Sequence, residues 1–166
     1  MKAVINPPWT SMEPVRLGQL PGGLGTADQF VTLEDELEPL LRVDLYCVDD
    51  ECYAFEKPLI WQDFLVIGWG HHLYILEFNG HQVLTIALDS YFASLYPFED
   101  FLLVSSAENL NCIERNGTLR WQSCRLGIDG VIIDRVEDGI IHGQGEWNPP
   151  NGWRYFRLNL KTGENV

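Results

Sequence analysis

Positive charge is scarce in this chain. Its 166 residues hold 11 Lys and Arg against 24 Asp and Glu, a formal net charge of −13. A surface so poor in cations cannot neutralise phosphates, which argues against nucleic acid as a partner. Long hydrophobic runs are missing too. No apolar stretch approaches the roughly 20 residues of a membrane-spanning helix, so no membrane association is expected. The start, Met1 to Pro8, has no continuous apolar segment, so no secretory leader is expected. The four cysteines, Cys47, Cys52, Cys112 and Cys124, are spaced too widely for a zinc site. Free thiols in a reducing compartment, most simply the cytoplasm, account for them. The chain also lacks a GxSxG elbow, an HExxH pair and a phosphate-binding P-loop. No catalytic residue, metal or cofactor is therefore assigned.

Apolar residues make up 46% of the chain and aromatics 12%, which is ample for a folded core. Proline and glycine break up residues 1–25, at Pro7-Pro8, Pro14 and Pro21-Gly22-Gly23, so an irregular arm is expected there. Residues 26–166 read as a single all-β domain. One short helix is expected over 27–37, where Phe30, Leu33 and Leu37 share a helical face and Pro39 follows. Beyond it the pattern is strand and turn. Val43–Cys47 alternates, Leu65-Val66-Ile67 and Val131-Ile132-Ile133 are short apolar runs, and Asn79-Gly80 and Asn116-Gly117 are hairpin signals.

The chain repeats itself. Shifting by 37 residues aligns 63–84 with 100–121 and gives seven identities in 22 positions. Asp63-Phe64-Leu65 meets Asp100-Phe101-Leu102, Leu73 meets Leu110, Glu77 meets Glu114, and Asn79-Gly80 meets Asn116-Gly117. A weaker third copy runs from Asp138 to Lys161-Thr162-Gly163. Ile113 to Trp121 and Leu158 to Gly163 resemble the blade repeats of quinoprotein and WD-type β-propellers. That resemblance implies antiparallel meanders of about four strands each. About three such blade-like repeats are expected, as an open propeller-like stack or a sandwich, with contact between neighbours and oligomerisation as ways to cover their faces. No residues match a quinone site, so no cofactor follows from the resemblance.

Two segments are candidates for function. Eight of the 24 acids lie between Glu34 and Glu51, with Arg42 as the one base among them. Glu34, Asp35, Glu36, Glu38, Asp49, Asp50 and Glu51 would steer a basic protein partner towards the chain. Small acidic proteins that neutralise basic toxins, such as bacterial immunity proteins, share this composition. A non-catalytic protein-binding module is the leading expectation. The alternative is a module or enzyme for a small molecule or glycan, built on the hairpin around Asn148–Gly152. There His142, Gln144 and Glu146 share one strand face, with Trp147 and Trp153 flanking the turn and Arg154 beside them. Pairing Trp147 with Trp153 sets Glu146 opposite Arg154 as a cross-strand ion pair.

Overall fold

The computed structural model describes residues 1–7, 11–18, 26–36, 38–46 and 58–166. The described residues are all-β, in fifteen strands and four sheets, and no helix among them is long and apolar enough to cross a membrane. The chain divides into two compact units, Met1–Ala87 and Leu88–Val166.

The first unit opens with β1 (Lys2–Ile5), β2 (Val15–Leu17), β3 (Gln29–Asp35) and β4 (Glu38–Leu45), paired in the order β1-β3-β4-β2. Two strands thus lie within the first 25 residues, where proline and glycine suggested an irregular arm. The β2 strand joins parallel to β4, and the other pairs are antiparallel. The helix expected over 27–37 is overturned, because β3 occupies Gln29–Asp35. Val31 and Leu33 alternate onto the core at 1% and 0% exposure, and β3 is hydrogen-bonded on both sides, to β1 and β4. Three apolar residues at helical spacing are outweighed by two strand partners and a β-branched Val-Thr pair. Nor does Pro39 stop a helix. It sits in β4 opposite Glu34, where the register shifts, and such irregularities are where a sheet admits proline.

The same unit continues with β5 (Leu59–Trp61), β6 (Phe64–Trp69), β7 (His72–Glu77) and β8 (Val83–Ala87), an antiparallel meander in that order. Its core joins Val31, Leu33 and Val43 to Leu65, Ile67 and Leu76. The Trp69 indole N–H donates to the Tyr46 carbonyl at 2.9 Å, so burying this large ring leaves no polar group unmet.

The second unit holds β9 (Phe92–Pro97), β10 (Phe101–Ser106), β11 (Leu110–Glu114) and β12 (Leu119–Gln122), again a meander, and then β13 (Val131–Glu137), β14 (Ile140–Glu146) and β15 (Trp153–Asn159). Leu103, Leu110 and Cys112 of one sheet pack with Val131, Ile141 and Leu158 of the other.

The internal repeat maps onto these sheets, with β6 and β7 equivalent to β10 and β11. Each Asn-Gly lies in the turn to the last strand of its sheet, rather than between sheets. Gly80 N–H donates to Glu77 O and Gly117 N–H to Glu114 O, both at 2.8 Å. The Asn79 and Asn116 side-chain oxygens each accept the N–H two residues on, at 2.9 Å. Both glycines are left-handed, at φ 70° and 81°, a region that an L side chain rarely enters. The third copy keeps the device after β15. Gly163, at φ 73°, donates to Asn159 O, and Lys161 N–H bonds the Asn159 side chain.

Candidate functional site

The acidic segment is centred on the β3–β4 hairpin. The Glu34 carboxylate lies 3.1 Å from Lys2 Nζ and accepts the Thr32 hydroxyl proton at 3.1 Å, so it ties β1 to β3. Asp35 lies 3.4 Å from the Met1 amino nitrogen. Glu36, at φ 47°, and Glu38 are exposed at the tip, with Leu40 45% exposed beside them. Asp44, counted among the eight acids, is buried and takes two hydrogen bonds from Arg42, at 2.8 and 3.2 Å. The Arg42 guanidinium also covers the Phe30 ring at 5.2 Å. Asp49, Asp50 and Glu51 lie outside the described residues, as do Cys47 and Cys52. The tip therefore presents Glu36 and Glu38 to solvent, while Glu34 and Asp44 serve the fold.

The hairpin in the second unit has a different register from the one expected. Trp147 N–H donates to Gly152 O at 3.0 Å, so Glu146 lies opposite Trp153 and Gly145 opposite Arg154. Gln144 then faces Tyr155 and His142 faces Arg157. The expected Glu146–Arg154 ion pair is not formed. Gly152 belongs to the pairing rather than to the loop, and a glycine is needed there because Asn148 atoms occupy the space a Cβ would take. One residue fewer in the loop slips every partner by one. Glu146 is 9% exposed, and its carboxylate accepts the Asn151 N–H at 2.7 Å, closing the loop from inside. Arg154 lays its guanidinium over the Trp147 ring at 5.5 Å.

The shared face of His142 and Gln144 is present as the alternation requires. The Tyr155 hydroxyl and Arg135 Nη2 (3.5 Å) both meet His142 Nδ1. Gln144 donates to both oxygens of Asp134, at 3.3 and 3.2 Å. Arg135 also pairs with Glu137 at 3.3 Å. Trp153 and Tyr155 stand on this face at 38% and 55% exposure. On the opposite face the two glycines are filled by protein. A Cβ on Gly143 would overlap the Ile132 carbonyl and the Phe156 ring, and one on Gly145 the Leu126 carbonyl. That close approach is to the chain's own backbone, so these glycines offer no ligand a path to the main chain.

Two features were not anticipated. The Tyr91 hydroxyl donates to Asp129, at its carboxylate and at its carbonyl (3.0 Å), and burial with this acid raises the phenol well above its ordinary pKa. The Glu108 carboxylate pairs with Arg125, whose Nε donates to Gly127 O at 3.2 Å. Both pin the segment before β13. The partners are far apart in sequence and carry no spacing signal. Among the described residues no group of three or more His, Cys, Asp or Glu is placed to hold a metal ion. A comparison with protein-family models finds no match for the chain, and a comparison with curated proteins finds none.

Proposed function

We propose that the chain is a non-catalytic protein-binding module for a basic protein partner. The observation that carries this reading is the net charge of −13, concentrated in residues 1–87, where 13 acids face 4 bases, against 11 and 7 in residues 88–166. Such a field speeds encounter with a cationic partner and repels copies of the chain. The exposed Glu36 and Glu38, with Leu40 beside them, supply an acidic tip with an apolar neighbour. The polar row of the second unit supports binding over catalysis. Glu146 is committed to its own loop, and His142 and Gln144 to Tyr155 and Asp134. The test is the double variant Glu36→Gln, Glu38→Gln. Glu34 is left intact because its loss would loosen β1. With a lysine-rich peptide as probe, affinity and its salt dependence should both fall; unchanged values for both would remove the tip from the interface.

A second reading is favoured by one observation, the exposure of Trp153 and Tyr155 on a face lined with polar groups. It is a shallow site for a small polar ligand such as a glycan, stacked on these rings. Titration with oligosaccharides while following tryptophan emission tests it. A response that survives Trp153→Ala would sink it.

A further inference from the structure

We propose that the outer edge of β8 accepts an extended strand of the basic partner, adding a fifth strand to the β5–β8 sheet. The inference rests on the reading of the chain as a partner of a basic protein, and names how that partner is held. The β8 strand ends its sheet, with β7 on one side and no partner among the described residues on the other. The pairing of β7 with β8 runs without a register shift. Because Glu77 N–H donates to Gln82 O, and bonding alternates along an antiparallel pair, Leu84 and Ile86 direct their backbone groups to β7. Val83, Thr85 and Ala87 direct theirs outward, and an incoming strand would meet these three N–H and three C=O groups.

What sets β8 apart is the lack of any device that blocks an edge. Natural sheets guard edges with charge, proline or bulges. The equivalent strand of the next repeat, β12, carries Arg120, held to Glu114 at 3.0 Å, and its pairing shifts register between Cys112 and Ile113. The last strand of the fourth sheet, β15, carries Arg154 and Arg157. By contrast, no Asp, Glu, Lys, Arg or Pro occurs from Phe78 to Leu88. Val83 and Leu84 are 37% and 40% exposed there, although both are strand-forming and apolar. The repeat thus holds one guarded and one open version of the same element.

Charge selects the occupant. A second copy would bring another −13 to the edge, whereas a strand ending in Lys or Arg meets Asp89 just past the end of β8, with Glu77 one strand further in on β7 adding to the acidic field. Alternate side chains of that strand would extend the apolar row of Leu84 and Ile86.

The test uses the full chain and a fluorescent seven-residue peptide of alternating Val and Thr with Lys at both ends. Binding should slow exchange of the Val83, Thr85 and Ala87 amides. Thr85→Pro deletes an outward N–H while sparing the bonds to β7, so the unbound fold should persist and affinity should drop about tenfold. Should that variant fold poorly, Leu84→Lys gives a second reading by placing like charge on the edge. Unprotected amides, or undiminished affinity in a folded Thr85→Pro or Leu84→Lys, overturn the inference. If Glu36→Gln, Glu38→Gln weakens the peptide in that case, the basic-partner reading stands and only the edge falls. A dimer of the chain alone in sedimentation, abolished by Thr85→Pro, would make a second copy the occupant and overturn the assignment as well.

Discussion

The Ser105 hydroxyl lies in the interior of the second unit with no hydrogen-bond partner among the described residues. The residue is fully buried on β10 opposite Leu110, so it bears a desolvation cost with nothing to offset it. Ser105→Ala should raise the stability to urea unfolding by about 1 kcal/mol. Gly145 is the converse case. A methyl group there meets the Leu126 carbonyl, a backbone atom that cannot step aside, so Gly145→Ala should cost about 3 kcal/mol in the same assay. Cys112 ties stability to pH. Burial pushes its thiol up to about 11 from an ordinary 9.0. The folded state then holds the proton more tightly than the unfolded chain. Its contribution is complete below about pH 9 and is lost as pH rises towards 11. Burial raises the Tyr91 phenol as well, in the same direction. The thermal midpoint should fall across that alkaline range. In native labelling the exposed Cys124 should react before Cys112.

Among the elements, the β14–β15 hairpin depends on a carboxylate facing its own loop. Glu146→Ala leaves the Asn151 N–H without its acceptor and should cost about 1–3 kcal/mol. Glu146→Gln keeps an acceptor oxygen and should recover most of that in thermal melts. A cross-strand pair with Arg154 would instead have been worth less than about 1 kcal/mol.

The same hairpin shows where the amino-acid pattern is informative and where it is not. That His142 and Gln144 share a face follows from alternation alone, and the Asn-Gly turns declare themselves through residues that tolerate left-handed backbone. The partner across the strand depends on how many loop residues are drawn into pairing. Here Gly152 is drawn in, bonded to Trp147 and packed against Asn148, and that close contact is invisible in the sequence. At β3 the failure has another cause. Phe30 and Leu33 fit a helix as well as a strand, and the decision came from β1 and β4 on either side. Local pattern loses wherever two neighbours compete for the same backbone. The lack of charge along β8, by contrast, is written plainly in the run from Phe78 to Leu88.

For the whole molecule, the excess of acid should make stability depend on ionic strength. Repulsion among like charges is relieved as salt screens them, so the thermal midpoint should rise between about 0.01 and 0.15 M sodium chloride. The gain should be larger for residues 1–87, with 13 acids to 4 bases, than for residues 88–166. Hydrogen exchange followed separately in the two units would resolve it.

The recurring turn has a consequence for how the molecule can be rebuilt. Between the last paired residues, Glu77 and Gln82 enclose four residues, Glu114 and Thr118 three, and Asn159 and Glu164 four. The same left-handed glycine serves all three, so these corners accept a change of length while the strands on each side stay in step. Lengthening a flexible loop adds entropy cost only slowly. The Asn116-Gly117 corner, exposed at its tip, is therefore a place to graft a foreign peptide. Such a graft would sit at a turn in the second unit, in a different unit from the acidic hairpin and the open strand.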